Sequence, residues 1–258
     1  MKAAASKGRA LELRLDLALH AGLPGLAYAW RLSNWKSVAF GLQWRGEETA
    51  YIFSSEMGIE QNAVDPEIPL LRFKDVEAFM AFIEAGKPHF RPGGPWLRWG
   101  ALLRFLLGAA RLQPTLRGAF DMRRASSDRR LLYGRASLWT AILGLQRLTR
   151  QHGRWRPQLA QYAGRTLGFF LEDSRMPIAG FSIDLTGCVE LIEDSDLKAE
   201  KCSTLLIFRD EIAMAEAVQH TCPSTEMIGD GRLEIRGLVP LADLVAAALD
   251  EVDGLLNA

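Results

Sequence analysis

The sequence predicts an α+β protein made of two related units, each a twisted, mostly antiparallel sheet covered by helices. Two Leu-Leu-x-Phe segments, Leu70 to Asp75 and Leu205 to Asp210, lie 135 positions apart. Similar predicted elements surround each segment. The 258 residues, 48% of them hydrophobic, are enough to bury the core of one large domain or of two ordinary ones.

Alternating strands are predicted ahead of each Leu-Leu-x-Phe segment. Apolar residues alternate with other residues in Leu11 to Leu19 and in Thr166 to Glu172. We interpret these two stretches as the equivalent opening strands of the two units. Val38 to Trp44 and Phe181 to Leu185 alternate in the same way, and each is followed by a glycine and a further strand. This order predicts a hairpin meander in each unit.

A short helix is predicted after each Leu-Leu-x-Phe segment. Asp75 and Asp210 stand at the helix N-cap position, where a carboxylate accepts hydrogen bonds from the free N–H groups of the first turn. Apolar residues then recur with helical spacing, which predicts that one face of each helix packs on its sheet. These residues are Val76, Phe79, Met80 and Ile83 in the first unit and Ile212, Ala215 and Val218 in the second.

Each unit is predicted to close with a glycine-containing turn, a short strand and an apolar helix, the last of which runs from about Pro240 to Leu256. An Arg-rich connector, residues 113–157, contains a helix from about Asp128 to Gln151. That helix could belong to either unit or bridge both. We therefore divide the chain into a first unit at residues 1–112, the connector, and a second unit at residues 158–258.

The charge is zero overall but unevenly distributed. Positions 1–90 include 10 basic and 11 acidic residues. Positions 91–165 include 15 basic and 2 acidic residues, and positions 166–258 include 6 basic and 18 acidic residues. This asymmetry predicts either an anionic partner or internal complementarity. Three cysteines and a charged, interrupted N-terminal stretch predict a cytoplasmic protein without a secretory signal.

Several stretches resemble the sterol carrier protein type two family. They are Ile183 to Gly187, Lys198-Ala199, Thr204 to Asp210, and Gly231 to Gly237 with Leu241, Leu244 and Leu249 of the closing helix. The resemblance covers most of residues 164–256, and residues 10–112 follow the same plan more loosely. Ala163 to Leu167, with the closing helix, also resembles ubiquinone-biosynthesis accessory factors that use this domain.

The resemblance implies an apolar cavity between helices and sheet that holds a sterol, a fatty acyl chain or an isoprenoid quinone. Such domains are carriers and not catalysts. The lining residues expected from this are Phe79, Phe82, Ile83, Leu103 and Leu106 in the first unit and Val218, Leu241, Leu244 and Val245 in the second. For each of them, ordinary core packing is the competing and favoured interpretation.

The basic segment is a second candidate site. Its amphipathic stretch could contact an anionic membrane or an acidic protein surface through Arg135, Trp139, Arg147, Arg150 and Arg154. It could equally dock against the acidic C-terminal unit of the same chain, because the arginine fork suits any carboxylate or phosphate. Nucleic-acid binding is disfavoured because no recognised motif accompanies the arginines.

The spacing of the histidine and cysteine residues disfavours catalysis and metal binding. His220, Cys222, Cys188 and Cys202 lack the closely spaced cysteine pairs of structural zinc sites, and no nucleophile, base and orienting residue form an evident set. An enzyme would be favoured if Asp184, Cys202 and His220 converged in a cleft. No cofactor is expected.

The sequence therefore predicts a non-catalytic protein that binds an apolar lipid for intracellular transfer or presentation. We expect it in the cytoplasm, with peripheral membrane contact as an option. The alternative is an accessory scaffold subunit that organises enzymes of lipid or quinone biosynthesis. Ligand identity and oligomeric state have no signature in the sequence.

Overall fold

Two five-stranded sheets among the described residues form the framework of the protein, in a mixed α+β architecture. The chain divides into one unit of Met1–Pro114 with Leu256–Ala258 and another of Thr115–Leu255. The computed structural model describes residues 2–33, 35, 38–44, 49–54, 58–63, 68–85, 90–93, 100, 103, 106–107, 121, 124–172 and 176–256.

The sheet of the first unit has the order β3-β2-β1-β4-β5. Its strands are β1 (Ala39–Trp44), β2 (Thr49–Ser54), β3 (Gly58–Ala63), β4 (Leu70–Phe73) and β5 (Phe90–Gly93). Strand β1 pairs with β4 in parallel, with Leu42 opposite Leu71, and the other neighbours pair antiparallel. The chain therefore forms β2 and β3 on one side of β1 and then returns to place β4 on the other side.

The sheet of the second unit has the equivalent order, β8-β7-β6-β9-β10. Its strands are β6 (Thr166–Leu171), β7 (Pro177–Ile183), β8 (Val189–Ile192), β9 (Thr204–Phe208) and β10 (Leu233–Gly237). Strands β6 and β9 form its parallel pair, and the other neighbours pair antiparallel. The two Leu-Leu-x-Phe segments therefore occupy equivalent central strands, β4 and β9.

The N-terminal strand predicted at Leu11 to Leu19 is wrong, because this stretch is helical. Helix α1 (Lys2–Leu17) continues through a π-helical turn (Ala18–Gly22) into α2 (Leu23–Leu32). Leucine alternation suggested a strand, but Leu, Ala, Glu and Arg are strong helix formers and the stretch has no β-branched residue. Strand β1, and not this stretch, is consequently the counterpart of β6 in the second sheet.

Both predicted helix starts after the central strands are confirmed. The Oδ1 atoms of Asp75 and Asp210 accept hydrogen bonds from the backbone N–H groups of Ala78 and Ala213, each at 2.8 Å. These caps open α3 (Val76–Ala85) and α6 (Glu211–Val218). In each unit the capped helix follows directly from the interior strand that pairs in parallel with the central one.

The helix predicted in the Arg-rich connector is present as α4 (Ser127–Gln151), and it packs on β7, β8 and α6 of the second unit. The structure thus selects one of the placements that the sequence left open. Three further helices belong to this unit, namely α5 (Arg156–Leu159), α7 (Ser224–Gly229) and α8 (Val239–Leu256). No described helix is both long and apolar enough to cross a bilayer.

Two glycines let α4 approach its neighbouring helices closely. A Cβ atom at Gly134 would lie 2.3 Å from Cε of Met214 on α6, and one at Gly144 would lie 2.3 Å from Cγ1 of Val252 on α8. Both partner side chains are fully buried. The helical layer over this face of the second sheet is therefore packed in direct contact.

The other face of the second sheet carries a small apolar cluster under the segment that joins β8 to β9. Phe170, Leu197 and Ile207 form its buried part. Leu197 lies over the paired glycines Gly168 and Gly180, whose missing side chains leave room for it. Strand β7 is thus covered by α4 on one face and by Leu197 on the other.

We expect Gly144→Ala to lower the free energy of unfolding by about 1–3 kcal/mol, the usual cost of overpacking a closed core. The added methyl group would collide with the stiff, β-branched side chain of Val252. Urea unfolding followed by circular dichroism measures the effect.

The matched control is Gly254→Ala on α8, where a Cβ atom meets open space. It should raise the free energy of unfolding by up to about 1 kcal/mol through helix propensity alone. Equal effects of the two substitutions would contradict the close approach of α4 to α8.

Candidate functional site

One face of the first sheet is rich in aromatic and leucine side chains. Alternate residues of β1 place Phe40, Leu42 and Trp44 on this face, and all three are buried. The strand register sets Tyr51 beside Leu42 and Phe73 beside Trp44. A strand directs every second side chain to the same side, so this face follows from the period of two.

The aromatic rings on this face form a continuous chain of contacts that extends onto α3. Trp44 and Phe79 have ring centroids 5.5 Å apart, Phe79 and Phe73 5.3 Å, Phe73 and Phe82 5.7 Å, and Phe82 and Phe90 5.4 Å. Tilted and edge-on arrangements of this kind are the favoured geometries of aromatic pairs. Two predicted lining residues, Phe79 and Phe82, are therefore part of one aromatic surface.

The residues predicted to line the first unit differ in exposure. Phe79 is fully buried, Phe82 and Leu106 are half-buried, and Leu103 is 59% exposed. Leu107, four residues after Leu103, is also exposed. The side chain of Ile83 lies outside the described residues. The structure brings Phe79 and Phe82 into one cluster and leaves Leu103 open to solvent.

The opposite end of the ring chain is polar, a feature that the sequence analysis missed. Tyr51 packs edge-on against Trp44 at 5.2 Å, and His20 lies 6.4 Å from Tyr51 between ring centroids. His20 Nε2 is 3.8 Å from Asp16 Oδ1. The alternation in β1 could have identified Trp44, but only the fold brings the π-helical turn that carries His20 beside β2.

Trp44 itself is 5% exposed, and its Nε1 atom is buried. No acceptor in the described part of the chain lies within hydrogen-bonding distance of that N–H. Buried polar groups are normally paired, so this donor differs from most groups of its kind.

The candidate residues of the second unit lie within its packed core. Leu241 and Val245 of α8 are fully buried, and Leu244 is half-buried. Val218 is half-buried against Tyr133 of α4 and Ala215 of α6. Ordinary core packing, the alternative favoured from the sequence, accounts for the burial of Leu241 and Val245 without a ligand.

Most of the arginines proposed to contact an anionic partner face carboxylates of their own unit. Arg135 pairs with Asp194, Arg150 with Glu190 at 2.7 Å, and Arg154 with Glu251. Arg147 and Trp139 are half-buried on α4. These pairs are the ones that internal charge complementarity predicts.

Two further contacts join the basic segment to the acidic part of the unit. Arg130 donates to Glu211 at 3.0 Å, and Trp155 Nε1 donates to Glu251 at 2.7 Å. The pKa of Glu211 lies below its ordinary value of 4.5 because a backbone N–H and the Arg130 guanidinium donate hydrogen bonds to its carboxylate. The contacts therefore hold α4 to the start of α6 electrostatically as well as by packing.

The three residues named as possible catalytic groups have separate partners. Asp184 accepts from Thr186 and Cys188 in the β7–β8 turn, and these hydrogen bonds lower its pKa. Cys202 lies near the carbonyl of Lys198, and burial raises its pKa to about 11. His220 is exposed near Asp250 and Asp253.

The observed roles of these groups are local. Asp184 stabilises a turn, and the elevated pKa keeps the Cys202 thiol protonated at neutral pH. The described residues contain no group of three or more His, Cys, Asp or Glu side chains placed to hold a metal ion.

No protein-family model and no curated protein matches the chain. Among solved structures, it is similar to a UbiJ-SCP2 ubiquinone synthesis protein, with 14% identity over 42% of this chain and 88% of that one, and a TM-score of 0.32. Sterol carrier protein 2 from Yarrowia lipolytica in its apo form is also similar, with 13% identity over 46% of this chain and 88% of that one, and a TM-score of 0.31. The sec-alkylsulfatase Pisa1 from Pseudomonas sp. matches with 15% identity over 76% of this chain and 33% of that one, and a TM-score of 0.26.

We expect the Arg135–Asp194 pair to be coupled more strongly than the Arg150–Glu190 pair. The side chains of the first pair are 17% and 27% exposed and those of the second 43% and 51%, so water screens the second more. Double-mutant cycles with Arg→Met, Asp→Asn and Glu→Gln measure the coupling energy of each pair. It should be about 1–2 kcal/mol for the first pair and about 0–1 kcal/mol for the second. Equal coupling energies in the two cycles would contradict the internal anchoring of α4.

Glu211 should make stability depend on acid pH. Its pKa is lower in the folded chain than the ordinary 4.5, so its contribution is present above about pH 4.5 and is lost as pH falls through the folded value. Urea unfolding between pH 7 and pH 3 should show a shallower loss for Glu211→Gln than for the wild type. In Arg130→Met, carboxyl NMR should show the pKa of Glu211 rising toward 4.5, and an unchanged value would exclude the role of Arg130.

Proposed function

We propose that the protein binds an apolar, lipid-like molecule without chemical transformation, and that the first unit carries the binding surface. The observation that carries this proposal is that several large apolar side chains of that unit are only partly covered. They are the half-buried Phe82, Phe90 and Leu106 and the exposed Leu103 and Leu107. Phe82 and Phe90 extend the buried aromatic chain toward solvent.

Apolar burial provides the driving force for such binding. Removing apolar surface from water is worth roughly 25 cal/mol per Å² and needs no fixed partner atoms. Aromatic rings that are already packed against each other are pre-organised and lose little side-chain entropy when a ligand covers them. This supports a ligand with a long or bulky apolar body, such as a sterol, a fatty acyl chain or an isoprenoid quinone.

The second unit supports a different role in the same protein. We propose that the two units are diverged copies of one sterol-carrier-like unit, on the basis of their equivalent strand orders and their capped helices after β4 and β9. The direct contact of α4 with α6 and α8 favours a structural role for the second copy. If the first unit also fails to bind lipid, an accessory scaffold for lipid or quinone biosynthesis becomes the favoured function.

Cytoplasmic localisation and peripheral membrane contact complete the proposal. The three cysteines, Cys188, Cys202 and Cys222, are free thiols, which supports a reducing compartment. Peripheral contact with an anionic membrane stays a proposal for the set named from the sequence, of which Arg135, Arg150 and Arg154 face carboxylates of their own unit.

The test is lipid uptake by the delipidated full-length protein. Organic extraction of the purified protein with mass spectrometry first identifies any lipid it retains. Radiolabelled palmitate, cholesterol and ubiquinone are then supplied from neutral vesicles or from vesicles containing phosphatidylglycerol. Stoichiometric uptake of at least one lipid is expected, and faster uptake from the anionic vesicles is the result expected from peripheral membrane contact.

Two matched variants locate the binding unit. Phe82→Gln places an amide among the half-buried aromatic residues of the first unit and should reduce the affinity about tenfold or more, because the lost transfer free energy of an aromatic side chain is about 1.5–3 kcal/mol. Leu244→Gln makes the equivalent change at a half-buried position of the second unit and should leave uptake unchanged. The reverse result would assign binding to the second unit, and no uptake by the wild type would favour the scaffold.

A further inference from the structure

Trp44 stands at the junction between the polar and the apolar parts of the ring chain in the first unit. On one side its indole contacts Tyr51 edge-on, and Tyr51 in turn lies beside His20. On the other side it contacts Phe79, from which rings continue through Phe73 toward Phe82. The chain of rings is therefore ordered from polar to apolar along its length.

The Nε1–H group at this junction is buried and has no acceptor in the described part of the chain. Burying a donor without an acceptor costs the desolvation of that donor, with nothing gained in return. A phenylalanine would fill the same aromatic position and contact the same neighbours without this cost. An oxygen atom supplied by a ligand would remove the cost and would at the same time fix the orientation of the ligand.

The polar side of the junction has an unusual backbone. His20 lies in the π-helical turn of Ala18–Gly22, between the α-helices α1 and α2. Such π-turns are rare, and they frequently occur at functional sites because they redirect side chains. Here the turn carries His20, which lies near Tyr51 and near the carboxylate of Asp16. Asp16, His20 and Tyr51 thus place polar groups at the end of the ring chain that continues from Trp44 through Tyr51.

We propose that Trp44 is the head-group subsite of the lipid-binding surface, and that its Nε1–H donates a hydrogen bond to a carbonyl oxygen at one end of an otherwise apolar ligand. The apolar body of the ligand then extends toward the half-buried rings of Phe82 and Phe90. The proposal rests on the lipid-binding function proposed above. It predicts a preference for lipids that carry a carbonyl acceptor, such as quinones, fatty acids and acyl esters, over pure hydrocarbons.

The experiment uses two probes that differ in one carbonyl group, 2-tridecanone and tridecane. The full-length protein is labelled with ¹⁵N at its tryptophan indoles, and Trp44→Phe identifies the Trp44 signal in the proton–nitrogen spectrum. Binding of 2-tridecanone should move that indole proton downfield, as hydrogen bonding does, whereas tridecane should not. This readout uses the wild-type protein and does not depend on the stability of the variant.

Affinities of both probes are then measured for each variant, and the ratio of ketone to alkane affinity is compared. One neutral hydrogen bond is worth about a fivefold change in affinity, so Trp44→Phe should lower this ratio about fivefold while alkane binding persists. Trp155→Phe is the matched control. It removes an indole that donates to Glu251 in the second unit and should leave the ratio unchanged.

The outcomes separate the subsite from the proposed function. If both probes bind but the Trp44 signal does not move downfield and the ratio is the same in Trp44→Phe, the head-group subsite is overturned and lipid binding stands. If neither probe binds the wild type, lipid binding by this surface fails, and the subsite fails with it. A downfield shift together with a lowered ratio supports both.

Discussion

The parallel pairing at the centre of each sheet determines the arrangement of everything around it. Parallel neighbours cannot be joined by a tight turn, so two hairpins intervene between β1 and β4, and likewise between β6 and β9. The returning strand, β4 or β9, lies in the interior of the sheet, and the aspartate at its end starts the helix that follows. In the first unit this places Phe79 against the ring of Trp44, which is on the adjacent strand.

The two units use equivalent sheets in different ways. In the second unit, Gly134 and Gly144 allow α4 to touch its neighbouring helices, and its candidate lining residues serve mainly in the core. The first unit instead continues from a buried aromatic core to half-buried rings and exposed leucines. A surface that is graded in this way offers an apolar ligand both a rigid base and uncovered area, which a closed core does not.

Charge helps to hold the long helix α4 in place. The excess of arginine in residues 91–165 and the excess of acid in residues 166–258 meet in pairs such as Arg130–Glu211 and Arg135–Asp194. Half-buried pairs of this kind are screened less than exposed ones, and they complement the apolar packing of the same helix. Part of the uneven charge distribution seen in the sequence thus has an internal explanation.

The sequence by itself determined the features that depend on neighbouring residues. The Leu-Leu-x-Phe strands, the aspartate caps and helix α4 were all predicted, because alternation, capping and helical spacing act over a few positions. The α+β class followed from their order. The same local signals misidentified Leu11 to Leu19, where alternating leucines are compatible with a strand as well as with a helix.

Only the tertiary structure decided which distant residues meet. His20, Trp44 and Phe82 come from a π-helical turn, a strand and a helix, and they belong to one chain of rings only because the sheet brings those elements together. Likewise, composition predicted a basic and an acidic segment, but the partner of each arginine depends on how α4 lies on β7 and β8. Contacts of this range are selected by packing of the whole unit, and no local pattern in the sequence encodes them.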